Sequence, residues 1–515
     1  MRFNNWIKTR WNVIGCIGAI LCLCYGKFIF QISFYQDAPF ILFEPGSRYN
    51  WLEIGRFGLV FIREIFGTNV ANPYYTAILF LITTVLVGTL WGYLLDLVTH
   101  RKNPAWQIVL FVCIYLTYPV WSEQYYFQFQ SFEIAFANLL VVSSLIYLYK
   151  GKLNKKIGYK ILAIAMAILA FGIYQSMVNV YITGCLGMYL LSMKDTVDWK
   201  AFFREALEYI FIFLVMFICY RMLANKFTTS GYLAGQMAWG KEPLKEILKG
   251  LFYHFLWIWL GKSIFFPITY SILAVSAGVF SVIAFIKNKK NLCFGFLNIG
   301  VIGAVFLSPF LLTVVLGEQP VNRAHLALPL AIAFGFIYVL HVAETFCVKW
   351  KPYLQKAGLI LGIVCCLMQV NNLARVMYTY DIIQTNDRMT ATKLSYDLDK
   401  IIAEYGNLPV AFVGEPELQI QNSACADIEE FSYMFLSSFN QNINAYPYGY
   451  HSSEWTRSYY RMFGFNYTAA SQEQVKSAMY ASQEMPVWPD ADGIKAENGV
   501  IIVKLGEMDL AKINW

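Results

Sequence analysis

Charge is scarce in this chain. Only 14% of its 515 residues are Asp, Glu, Lys or Arg, against 58% hydrophobic, and the mean hydropathy is +0.47. That balance excludes an ordinary soluble enzyme and reads as a polytopic membrane protein. Zinc-type Cys/His spacing, a P-loop and a dinucleotide-binding glycine pattern are all missing. The polar tail holds a single cysteine, Cys425, so it can form no internal disulfide. No internal repeat is evident, which leaves the inverted-repeat transporter plan without support. The net charge of +7 does not imply nucleic acid, because much of it sits in short loops between apolar runs.

What is present is a series of about eleven apolar spans. They fall near 12–30, 73–99, 106–121, 132–149, two within 161–193, then 206–224, 267–286, 292–316, 326–346 and 358–375. The 161–193 stretch is too long for one span and reads as two, joined by a tight hairpin at Tyr174-Gln175-Ser176. Arg2, Lys8 and Arg10 precede the first span, which reads as retained rather than cleaved. Basic residues cluster at Lys150–Lys160, Lys194–Arg204, Lys287–Lys290 and Lys349–Lys356, in alternate loops. By the positive-inside rule the N-terminus is cytoplasmic and the chain ends outside the cytoplasmic membrane. The stretch 225–266 is expected to be a long outer loop, with Lys241, Lys245 and Lys249 at four-residue intervals. SEQYYFQFQ (122–130) is expected to be another. Asp96, near an inner span end, reads as structural.

The composition changes at about 380, dividing a multi-span part (1–380) from a tail (381–515). A helix is expected over Thr392–Tyr405, ended by Gly406. LPVAFVGE (408–415) and GVIIVKL (499–505) read as strands. Ser471 with Gln474 forms a capping-box pattern for a helix ending before Pro486. Interleaved helices and strands predict a small α/β domain outside the membrane. It shows no nucleophile–base motif of its own.

The stretch Ser33–Gly67 organises the candidate chemistry. It follows the first span and carries two acids, Asp37 and Glu44, before a Pro45-Gly46 turn. From Tyr49 to Phe66 the pattern predicts one interfacial helix over about 49–67. Leu52, Leu59, Ile62 and Phe66 form its apolar face, with Glu53, Arg56, Arg63 and Glu64 on another. Other polar groups on the same side are Glu123, Gln124, Gln175, Glu318, Arg323 and His325. A carboxylate there can deprotonate an attacking hydroxyl, and an arginine can fork onto a phosphate. Each has a plainer reading. Asp37 can mark a span end, Arg323 can snorkel, Gln175 can cap a hairpin, Glu123 can be solvated, and Tyr125–Phe127 can form an interfacial belt.

The order of these motifs resembles the GtrII family of membrane glucosyltransferases, multi-span enzymes of the GT-C type. The likeness rests on Asp37 after the first span, Gly55-Arg56 opening an apolar run, and the Ile173-Tyr174-Gln175 hairpin. It rests also on Arg323 before Leu328-Pro329-Leu330. In the tail, LPVAFVG, MPVWP (485–489) and IIVKL resemble Gram-positive members. One departure is that Asp37 is followed by Ala38, where many relatives show paired acids. The resemblance implies a GT-C-like α-helical polytopic membrane protein with a small α/β extracytoplasmic C-terminal domain. It implies transfer of a hexose, typically glucose, from a polyprenyl phosphate such as undecaprenyl phosphate. The acceptor would be a surface polysaccharide: O-antigen, teichoic acid or wall glycan. By position Asp37 would be the base, Arg56 would orient the site, and Tyr174, Gln175 and Arg323 would line it; Glu44, Glu123 and Gln124 are the further substrate-binding candidates on the same side, with a second carboxylate, if one is needed, from Glu44 or Glu123. No nucleotide sugar, cofactor or nucleic-acid partner is expected. A divalent metal is left open, with no metal site forced by the residues. Two other classes stay in view: a transporter or flippase of a lipid-linked sugar or polymer, and a non-catalytic assembly protein.

Overall fold

The computed structural model describes the chain except residues 1, 34–37, 44–45, 101–102, 195, 230, 232–234, 263–264, 266–267, 288–290, 347, 415–448, 509 and 511–515. The helices, in chain order, are α1 (Phe3–Tyr25), α2 (Ala38–Phe43), α3 (Ser47–Glu53), α4 (Phe57–Phe66), α5 (Pro73–Val98), α6 (Ala105–Leu116), α7 (Val120–Tyr126) and α8 (Gln128–Asn154). They continue as α9 (Ile157–Ile173), α10 (Met177–Ser192), α11 (Trp199–Asn225), α12 (Leu244–Trp259), α13 (Thr269–Lys287), α14 (Leu292–Leu307), α15 (Leu311–Leu316), α16 (Ala327–Phe346) and α17 (Lys351–Tyr405). After strand β1 (Val410–Val413) come α18 (Gly449–Met462), α19 (Gln472–Ala481), β2 (Ile494–Glu497) and β3 (Val500–Lys504). Two compact units result, one of residues 1–32 and 48–374, the other of 33–47 and 375–515.

In the first unit all eleven apolar stretches are helical. Among the described residues, eight helices are long and apolar enough to cross a membrane. A ninth candidate is the pair α6 and α7, bent by 62°. The two halves of 161–193 are the shorter apolar helices α9 and α10, separated at Tyr174–Ser176. Asp96 is indeed structural: Trp6 Nε1 (3.0 Å) and Arg10 Nε (3.1 Å) both donate to it, tying α1 to α5. A buried carboxylate with those partners has its hydrogen-bonding capacity met.

Four expectations need correcting. The interfacial helix is not continuous: it breaks between α3 and α4 at Ile54-Gly55-Arg56. Gly55 sits at φ +79°, and a Cβ there would lie 3.0 Å from Thr228 Oγ1. Glycine supplies that left-handed turn without steric cost. Arg63, placed on the polar face, is buried at 3% exposure. The 122–130 stretch is not an open loop: every residue from Leu110 to Ala135 is buried. Lys245 and Lys249 do lie on a solvated helix face, that of the sixteen-residue α12 within 225–266, but Lys241 is not on that helix: it lies before it and donates to Gly235 O (2.7 Å).

In the second unit the sheet order is β1-β3-β2, with β1 parallel and β2 antiparallel to β3. β1 and β3 are buried along their whole length, as their near-continuous apolar runs require, while β2 at the edge is buried only at Ile494. Val410, Phe412, Ile501 and Val503 meet Leu394 and Leu398 of α17 and Tyr459 and Tyr460 of α18. Ala411, Val413, Val500 and Ile502 meet Val475, Ala478 and Met479 of α19. The capping box at Ser471 and Gln474 is present. The expected helix over Thr392–Tyr405 is the end of the 55-residue α17. Gly406, at φ +86°, terminates it. Arg461 of α18 stacks over the Phe43 ring of α2 at 4.1 Å, so α2 packs within this unit.

Candidate functional site

Asp37 and Glu44 lie outside the described residues. The remaining sequence-derived candidates fall into two groups, each built where a helix is interrupted.

The first group sits at the bend between α6 and α8. Pro119 has no N–H to donate and clashes with a continuing helix, so α6 stops. Thr117 Oγ1 donates to Cys113 O (2.8 Å) and Trp121 N to Tyr118 O (3.0 Å), which starts α7 on a new axis. Phe127, at ψ 60°, ends it about two turns later. Glu123 and Gln124 are thereby held on a seven-residue helix with no exposure to speak of. Both reach the short turn Asn322–Ala324. Glu123 Oε2 accepts from the Arg323 N–H (2.9 Å), and Gln124 Nε2 donates to the Arg323 carbonyl (2.9 Å). The Arg323 guanidinium lies over the Phe127 ring at 4.5 Å. The contact to Glu123 is thus through the main chain of Arg323. A buried carboxylate accepting such a bond is a strong, geometry-setting interaction.

The second group joins the α3–α4 break to the α9–α10 hairpin. Arg56 Nε donates to Gln175 Oε1 (3.3 Å), and Gln175 Nε2 donates to Ile54 O (3.1 Å). The Arg56 guanidinium stacks over the Tyr174 ring at 5.2 Å. Close helix contact brings these together: a Cβ on Gly58 would fall 2.7 Å from Leu169 O and 2.8 Å from Ile173 N.

Two further polar pairs complete the region. Arg63 Nε lies 3.7 Å from Glu133 Oε1, with both side chains buried. Arg63 also donates through Nε and Nη2 to Thr68 O (3.2 and 2.9 Å) and stacks on Trp51 at 4.4 Å. Thr68 Oγ1 donates to the same Glu133 oxygen. Glu133 was the available signal, being an acid inside an apolar run, where charge is rare and partnered. The other pair is His254 of α12 and His325, whose Nε2 atoms lie 2.8 Å apart. Burial lowers His254 to about 3, helped by the neighbouring His325, and burial lowers His325 to about 4. Both rings are neutral near neutral pH. Among the described residues no three His, Cys, Asp or Glu side chains converge as a metal site would require.

Long apolar helices packed around buried, paired charges define a polytopic helical membrane protein. The chain belongs to the family of the glucosyl transferase GtrII, whose model matches residues 26–340. It is therefore a glycosyltransferase. The matched range includes Asp37, both groups above and the Arg63–Glu133 and His254–His325 pairs, and ends before residues 375–515 of the second unit. No curated protein and no solved structure matched the chain.

Proposed function

We propose that the protein transfers glucose from undecaprenyl phosphate, or a similar polyprenyl phosphate, to a hydroxyl of a surface polysaccharide such as O-antigen, teichoic acid or wall glycan. The reaction runs in the GT-C manner on the outer face of the cytoplasmic membrane, with the α/β unit on that side. The acceptor oxygen attacks the anomeric carbon, the bond to the phosphate oxygen breaks, and the lipid phosphate leaves. Asp37 takes the acceptor proton. Arg323 steadies the departing phosphate, and Glu123, Gln124, Arg56, Tyr174 and Gln175, with Glu44, line the sugar. The supporting observation is the Arg323 turn. A cationic side chain is carried on a main chain anchored at both its N–H and its carbonyl to one buried helix. Pre-set charge of that kind is worth most where charge develops.

The test is transfer of labelled sugar from polyprenyl-phosphate glucose to acceptor glycan by the purified full chain, without an ion gradient. Asp37→Asn keeps the side-chain shape and loses the base, so transfer should slow at least roughly a hundredfold with donor binding retained. Near-normal transfer by that variant moves the base elsewhere. Vesicles that carry the labelled lipid across the bilayer unconsumed would favour the flippase reading instead. A reporter fused after Trp515 should be active outside the cytoplasm, and cytoplasmic activity would reverse the orientation.

A further inference from the structure

Helix α12 buries three side chains, Ile247, His254 and Ile258, on one face. Leu248, Phe252, Tyr253 and Leu260 point away and are exposed. An isoleucine at 254 would seat the helix without the desolvation that a buried imidazole costs. The histidine offers what no aliphatic side chain can: a donor at a fixed point.

The direction of that donor follows from its neighbours. The Asn322 carbonyl can only accept, so His325 Nδ1, 3.1 Å away, carries the hydrogen and donates to it. His325 Nε2 is then an acceptor, and His254 Nε2 must donate across the 2.8 Å gap. The result is a directed chain from α12 through His325 into the first residue of the Arg323 turn. It matters mechanically. Among the described residues, the side chains that hold the main chain of Arg323, Glu123 and Gln124, are adjacent residues of one short helix. Two anchors on a single element leave a hinge. A third from a different element stops rotation about it.

We propose that His254 is a positioning residue: its hydrogen bond to His325 fixes the rotation of the Asn322–Ala324 turn and so the direction of the Arg323 guanidinium. This rests on the reading that Arg323 serves the donor phosphate. His254→Gln keeps an N–H donor at about the place of Nε2. His254→Leu keeps the bulk and leaves the His325 acceptor unpaired. Both are assayed as purified full-length protein that elutes as a single folded species, with donor and acceptor varied separately. His254→Leu should lower donor kcat/KM about tenfold or more, in keeping with the cost of small misplacements, and leave acceptor KM unchanged. His254→Gln should restore most of that loss. A His254→Leu variant with wild-type donor kcat/KM overturns the proposal, and so does equal impairment of the Leu and Gln variants. Arg323→Ala in the same assay separates the two layers. If it transfers normally, the donor-phosphate reading falls and takes this role with it. If it is impaired while His254→Leu is normal, only the positioning role falls.

Discussion

Arg63 has almost no water around it, with 4% of its side chain exposed, and the side chain of Glu133 has none. Removing one partner strands the other's charge. Arg63→Met or Glu133→Leu alone should therefore cost about 3–5 kcal/mol, while the double substitution should recover much of that. Thermal unfolding in detergent measures it, and additive losses would mean the two do not interact. Arg323 calls for a different experiment, because its main chain makes the anchoring bonds. Arg323→Ala should weaken donor use more than Arg323→Lys, since lysine keeps the charge but loses the two-pronged grip. Equal activity of both with wild type would remove it from the site. Periodicity places Arg63 on a polar face beside Glu53, Arg56 and Glu64, and that is where a local pattern fails. Its partner is Glu133 on α8, and no window along α4 can contain it. Glu123 fails for a related reason: polar composition reads as loop, but a helix between two breaks can bury every one of those groups against its neighbours.

Among the elements, α4 is held closely to α9. The would-be Cβ of Gly58 comes within 2.7 Å of the Leu169 carbonyl oxygen, and the would-be Cβ of Gly172 within 2.4 Å of the Phe57 ring. Gly58→Val should force the helices apart and destabilise the protein by about 1–3 kcal/mol. It should also loosen the Arg56–Gln175 contact and lower activity more than stability predicts. Unchanged activity and melting would show that α4 shifts freely. The apolar helices were legible because hydropathy needs no partner to be read, and the hairpin because its length demanded a break. The α3–α4 break carried a sign in Gly55, which local periodicity overrode. The single helix α17 was also readable in principle: residues 375–392 contain neither Gly nor Pro, so nothing there stops a helix. The β2–β3 hairpin carried the Asn498-Gly499 signal, with both residues at positive φ.

For the whole molecule, pH should act through the histidine pair. Unfolded histidine titrates near about 6.5, whereas His325 and His254 are lowered to about 4 and about 3. Below about 6.5 the unfolded chain takes up protons that the folded chain refuses, so stability falls as pH falls, until the folded values are reached. The midpoint of thermal unfolding should drop between about pH 7 and about pH 5, and less in His254→Gln. An equal drop in that variant would assign the effect to other groups. The membrane bundle and the small α/β unit were both legible from composition, since each rests on a periodicity the chain repeats many times. The site was legible only as a set of residue types. Which of them meet is decided by turns at Pro119, Gly55 and Asn322, and those turns act between segments far apart in the chain.

The main-chain anchoring of Arg323 has a consequence for how such an enzyme can change. Every residue but proline offers the same carbonyl and N–H at position 323, so the bonds to Glu123 and Gln124 survive a change of side chain, while the stacking on Phe127 does not. On the proposed role of Arg323, variation at this one codon alters the grip on the lipid phosphate while the turn keeps its main-chain bonds. A saturation library at 323 should thus yield mostly well-inserted proteins that differ in how efficiently they use the lipid-phosphate donor.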